Sequence, residues 1–117
     1  MHWHLHRFDE LSLQQLYLLM QLRQDVFVVE QQCAYGDLDG HDFPSLHLSA
    51  WHQGQPVAYV RIVPPDVHAS GCPALGRICT ARRMRRQGLG RALVTRGLDL
   101  VARHWPAQDC HIGAQSY

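Results

Sequence analysis

A single mixed α/β domain, one central sheet flanked by helices in the order β-α-β-β-β-α-β, is predicted by three observations in this 117-residue chain. Apolar residues recur at helical spacing in two windows, residues 13–29 and 92–104. Apolar or alternating runs of strand length fill residues 1–8, 46–52, 56–63, 75–80 and 109–115. A glycine-bearing turn, Arg85-Arg86-Gln87-Gly88-Leu89-Gly90-Arg91, joins the fourth of these strands to the second helix.

The elements follow in order. In residues 1–8, His2, His4 and His6 alternate with Trp3 and Leu5, which is strand periodicity with one wet face. Three histidines on one face invite a metal reading, but nothing supplies a second shell, and a solvated strand face is the better account. Leu16, Leu19, Met20 and Phe27 mark the first helix, interrupted by Arg23 and opened by Ser12 as N-cap. The next segment, residues 31–44, packs Asp37, Asp39 and Asp42 around Gly36 and Gly40. It lacks the frame and closing glutamate of an EF-hand, so turn and cap duty is expected of the aspartates. Gln53-Gly54-Gln55 joins the next two strands as a hairpin, and Pro64-Pro65 ends the second. Trp105-Pro106 stops the last helix, because proline disfavours helix at the residue before it.

Composition agrees with one domain over residues 1–117. A chain of this length buries about two thirds of its unfolded surface. The formal net charge of +1 argues against a generally basic nucleic-acid binder. No apolar run approaches the ~20 residues of a membrane span, and no signal segment opens the chain, so cytoplasmic residence is the expectation. Cys33, Cys72, Cys79 and Cys110 form no Cys-x-x-Cys pair and are read as reduced, structural thiols, with no metal site.

The turn at residues 85–91 is the motif that names a ligand. Gly88 and Gly90 let an anion approach the main chain, and the first amides of the following helix would face it with the positive end of the helix dipole. Arg86 and Arg91 add guanidinium groups suited to phosphate oxygens. A P-loop requires a lysine, and the chain has none. A dinucleotide fingerprint requires a third glycine where Leu93 stands.

The turn instead matches Arg/Gln-x-x-Gly-x-Gly/Ala and resembles the acetyl-CoA loop of GCN5-related N-acetyltransferases (GNAT). Around it lie Val26-Phe27-Val28-Val29-Glu30-Gln31, Tyr35-Gly36-Asp37-Leu38-Asp39-Gly40-His41-Asp42, Ala58-Tyr59-Val60-Arg61, Gly76-Arg77-Ile78 and Gly113-Ala114-Gln115. In order and over nearly the whole chain, these resemble the ElaA branch of that superfamily.

The resemblance implies acetyl transfer from acetyl-CoA to the amine of a small-molecule or peptide acceptor, which attacks the thioester directly. It implies that the main chain of Ile78, Cys79 and Thr80 pairs with the pantetheine arm. The pyrophosphate would then be held by Arg85, Arg86, Gln87, Gly88, Leu89, Gly90 and Arg91. In the family, the strand of Gly113-Ala114-Gln115 is followed by a helix and two strands, and no such segment follows Tyr117. The expectation is therefore a C-terminally incomplete domain whose exposed last strand edge favours a homo-oligomer. The tyrosine acid many members use would lie in that absent helix, so no catalytic residue is assigned.

Glu30, His47 and His111 are candidate proton acceptors, and Tyr59 and Gln115 are further pocket candidates. Strand parity places Tyr59 with Arg61, and Leu75 with Arg77 and Cys79. On such faces Arg61 and Arg77 would either meet a carboxylate of the acceptor or pair with Glu30 or the acidic segment. Seven of the eleven arginines lie between Arg77 and Arg96, without an acid among them. A phosphate-bearing cofactor accounts for this cluster without nucleic acid, since the stacking aromatics of single-strand binders are missing there. A non-catalytic CoA- or RNA-binding interaction module is the alternative.

Overall fold

The computed structural model describes residues 1–30 and 37–113. Strand β1, His2–Arg7, is followed by helix α1, Leu13–Gln24, whose backbone loosens into a π-helical segment over Asp25–Glu30. Strands β2, Leu46–His52, and β3, Gln55–Val63, form a hairpin. Strand β4, Ala74–Thr80, leads to helix α2, Leu89–His104, and the short strand β5, His111–Ile112. The order β1-β2-β3-β4-β5 is also the spatial order of the sheet, with β5 parallel to β4 and every other pair antiparallel. The parallel pair, β4 and β5, is joined through α2, since a tight turn cannot return a chain in the same direction.

Local signals act as read. The Ser12 hydroxyl accepts the Gln15 amide at 3.0 Å while the Gln15 side chain accepts the Ser12 amide at 2.9 Å, which closes a reciprocal cap at the start of α1. Gln53 and Gly54 take φ of +53° and +74°, the left-handed pair a two-residue hairpin requires.

Two expectations need correction. The first helix runs in α form only to Gln24 and continues as a π segment. Its buried stripe is Leu19, Leu22, Arg23, Val26 and Phe27, so Arg23 belongs to the stripe rather than interrupting it. The second helix begins at Leu89 rather than at residue 92, which moves Gly90 and Arg91 into its first turn. The final strand is described at His111–Ile112, and the candidate Gln115 lies outside the described residues.

The helices cover opposite faces. On the α2 face, Leu48, Ala50, Val60, Ile62 and Leu75 present an apolar surface, against which α2 lays Leu89, Leu93, Gly97 and Val101 at i, i+4 spacing. A Cβ on Gly97 would stand 3.1 Å from the Leu75 methyls, so glycine lets the helix approach β4 closely. The α1 face is polar: His47, Ser49, Tyr59 and Arg61 are buried there beneath α1 and residues 37–42. Among the described residues, no helix is long and apolar enough to cross a membrane.

Candidate functional site

β4 carries an irregularity that sets the site. Tyr59 opposes Cys79 and Arg61 opposes Gly76, so Arg77 and Ile78 together face the single Val60. This is a β-bulge, which leaves a residue outside the ladder and turns the strand. Arg77 adopts φ of +53° there, a left-handed conformation that costs a residue with a Cβ about 1–2 kcal/mol. The bulge also overturns the parity expected for β4: Leu75 packs toward α2, whereas Cys79 lies beside Tyr59 on the α1 face. Period-2 reasoning fails here because one residue has been inserted in the register.

A cleft of 330 Å³ opens at the bulge, lined by Phe27 of the π segment, Arg61 and Val63 of β3, residues 74–78 of β4, His68, His111 and Gly113. The His68 and His111 ring centroids are 4.9 Å apart. Burial, and then the neighbouring His111, lower the His68 imidazole from its ordinary value, which favours the neutral ring. His111 was a sequence candidate; His68 was not, because it stands in a loop with no periodicity to mark it.

Behind the cleft lies a charge network. Arg23, fully buried, donates to Asp42 Oδ1 at 2.7 Å and stands 3.0 Å from Asp37 Oδ2. Arg61 grips Asp39 with two hydrogen bonds of 2.8 and 2.9 Å and reaches Asp42 at 3.2 Å. Arg77 donates from Nε to Asp37 Oδ1 at 2.9 Å. Cap duty is thus only part of what the aspartates do: Asp39 accepts the His41 amide at 3.0 Å, but all three also neutralise arginines. Burial would raise the Asp39 carboxyl, but the hydrogen bonds from Arg61 and from the His41 amide outweigh it and hold it well below the carboxylate range. Of the alternatives open for Arg61 and Arg77, pairing with the acidic segment is the arrangement seen.

His47 and Tyr59 are fully buried in the same layer and bonded to each other at 2.7 Å. Burial lowers the His47 imidazole and raises the Tyr59 phenol. Burial likewise pushes the Cys79 thiol up to about 12, which leaves it protonated and unreactive at neutral pH. Glu30 pairs with both arms of Arg85, whose Nη2 also donates to the Thr80 carbonyl at 3.2 Å, so this pair fastens the end of the π segment to the end of β4.

Past Thr80 the chain makes a 3₁₀ turn at Arg82–Met84 and enters the glycine turn. Arg86 and Gly88 take φ of +67° and +78°, and Gly88 is the N-cap of α2. No side chain caps this helix and no acid stands in its first turn. The orphan amides of that turn and the dipole's positive end are therefore not neutralised by the described chain. A Cβ built on Gly88 or Gly90 meets nothing within 4 Å, so an oxyanion has room to reach the backbone. Arg82, Arg83, Arg86 and Arg91 make no ion pair with any described residue. The arrangement fits a ligand bearing several phosphate charges.

A model of the acetyltransferase (GNAT) family matches residues 12–112. Protein ElaA of Escherichia coli is 38% identical over 111 residues, which span 93% of this chain and 72% of that protein. The crystal structure of E. coli ElaA superposes with a TM-score of 0.91, covering 98% of this chain and 78% of the other. An acyl-CoA N-acyltransferase from Pseudomonas aeruginosa, 40% identical, superposes with a TM-score of 0.90 over 97% of this chain and 79% of the other. A protein of Clostridium acetobutylicum described as a predicted acetyltransferase and solved with acetyl-CoA shares the fold at 14% identity, with a TM-score of 0.70 over 98% of this chain and 81% of that one.

Proposed function

This chain belongs to the acetyltransferase (GNAT) family, and from that premise we propose that it moves the acetyl group of acetyl-CoA to the amine of a small-molecule or peptide acceptor, by direct attack, in the cytoplasm. The observation that carries the reading is the helix start at Gly88, with no side-chain cap or acid in its first turn and arginines without ion pairs beside it. The first amides of α2, with Arg86 and Arg91, hold the pyrophosphate. Arg85, oriented by Glu30, shapes the approach to the turn together with Gln87. The main chain of Ile78, Cys79 and Thr80 pairs with the pantetheine arm. When bound, acetyl-CoA supplies the activated thioester.

The acceptor occupies the cleft at the bulge, where the main chain of β4 sets the approach of the amine. A protonated amine is no nucleophile, so a proton acceptor is needed, and His68 and His111 are the imidazoles that line this cleft. His47 and Tyr59 have a structural part in this reading, as have Arg61 and Arg77 through the acidic segment.

Calorimetry with acetyl-CoA tests the reading. The wild-type chain is expected to bind, and Gly90→Glu to lose binding, because its carboxylate would fill the phosphate position with a like charge. Equal binding by both proteins overturns the cofactor assignment. Selective RNA binding at physiological salt in place of acetyl-CoA binding favours the interaction-module alternative.

A further inference from the structure

Arg77 combines two features that rarely coincide in a strand. It carries a long side chain in the left-handed region, and it sits where β4 changes face. Glycine reaches that conformation without cost, whereas any other residue stays there only if its surroundings hold it. The surroundings here are two carboxylates and a carbonyl. Nε donates to Asp37 Oδ1 at 2.9 Å, Nη2 donates to the Asp37 carbonyl at 3.1 Å, and Nη2 also reaches Asp39 Oδ2 at 3.4 Å.

Both aspartates are themselves anchored. The free oxygen of Asp37 lies 3.0 Å from Arg23 of α1, which has no exposed surface, and Asp39 is held in a two-pronged grip by Arg61 of β3. Residues 37–39 therefore tie α1, β3 and the bulge of β4 together across the polar face of the sheet. The bulge in turn presents residues 76–78 to the cleft.

We propose that Asp37 and Asp39 are positioning residues that act through Arg77: they hold the bulge left-handed and so keep the main chain of residues 76–78 turned into the cleft where the acyl end of the cofactor lies. The inference rests on the acyl-CoA reading above for its functional consequence. Its structural content, that the acidic segment maintains the backbone of β4, stands independently.

The experiment compares Arg77→Ala with Arg77→Gly in the full chain, since both remove the guanidinium but only glycine tolerates the left-handed backbone unaided. Acetyl-CoA affinity by calorimetry is expected to fall about ten- to a hundredfold in R77A and to recover most of that loss in R77G. Equal loss in the two variants means that the guanidinium itself contacts the ligand, and wild-type affinity in R77A means that the bulge needs no holding; either result overturns the proposal. Asp37→Asn and Asp39→Asn are expected to weaken binding in the wild-type background and to have little effect in the R77G background. Equal effects in both backgrounds show that the aspartates act by another route and also overturn it.

Backbone NMR of the ligand-free protein gives a readout that needs no cofactor. Residue 77 is expected to stay left-handed in wild type and R77G and to move toward extended geometry in R77A and in the Asp37→Asn/Asp39→Asn double variant, while β1 and β2 resonances hold. Residue 77 unmoved in those variants overturns the proposal. If it moves as expected while wild type fails to bind acetyl-CoA, the positioning role stands and the cofactor reading falls.

Discussion

Nδ1 of His47 lies 2.7 Å from the Tyr59 hydroxyl while Nε2 of the same ring faces the Asp42 carbonyl at 2.9 Å, and together these distances fix the tautomer. A carbonyl only accepts, so Nε2 carries the proton and Nδ1 accepts from the Tyr59 hydroxyl. The ring is neutral with both nitrogens satisfied, and protonating Nδ1 would turn the Tyr59 O–H away from the acceptor it now uses. Arg23, 3.5 Å from the same hydroxyl, continues the chain of contacts to α1.

Stability is therefore expected to fall with acid in two stages. The His47 imidazole is lowered in the folded state, as are those of His6 and His68, so their contribution is complete above the unfolded value of about 6.5 and is lost as pH drops through the lowered folded values. The Asp39 and Asp42 carboxyls are also lowered; their contribution is complete above the unfolded value of about 3.9 and is lost below it. Thermal melts between pH 8 and pH 3 check this. His47→Gln should shrink the first stage, leaving the share of His6 and His68, and keep the second; an unchanged first stage would show that His47 does not contribute to it.

Removing one member of the buried charge layer should cost far more than removing an exposed pair. Arg23→Ala leaves Asp42 and Asp37 short of a counter-charge and is expected to destabilise the fold by about 3–5 kcal/mol in urea unfolding. Arg103→Ala, which breaks the exposed pair with Asp99, should cost at most about 0.5 kcal/mol. Similar losses from both would contradict the burial argument.

Arg86→Ala and Arg91→Ala are each expected to weaken acetyl-CoA binding by about 1.5–3 kcal/mol, the range for a hydrogen bond to a charged group. The same variants should bind a pantetheine fragment that lacks phosphate no worse than wild type. Equal losses for both ligands would place these arginines away from the pyrophosphate.

His68→Gln should lower turnover with an accepted amine by about 10²–10⁴-fold while leaving acetyl-CoA affinity intact. It should also remove the acid-side inflection of the pH–rate profile, because the neutral imidazole is the active form. A variant with the wild-type profile would move the proton-accepting role to His111 or to solvent.

Much of the fold was legible because its signals are local. Ser12 and Gln15 close a cap within four residues, Gln53-Gly54 sets its own turn, and apolar residues recur at helical spacing over residues 92–104. The glycine turn at the start of α2 was legible for the same reason: Gly88 and the arginines around it are neighbours in sequence.

The tertiary structure alone decided the rest. Arg23 read as a flaw in an apolar stripe because its partners, Asp37 and Asp42, lie more than ten residues away and meet it only when α1 folds onto the sheet. Leu75 and Cys79 read as sharing a face because parity carries no mark of an inserted residue, and the contacts of Arg77 with the acidic segment form only when distant residues meet in the folded chain. His68 joins His111 at the cleft because a loop returns beside β5, a placement no periodicity encodes. Propensity and spacing act over a few residues, whereas buried charge and strained backbone are permitted only by what surrounds them in space.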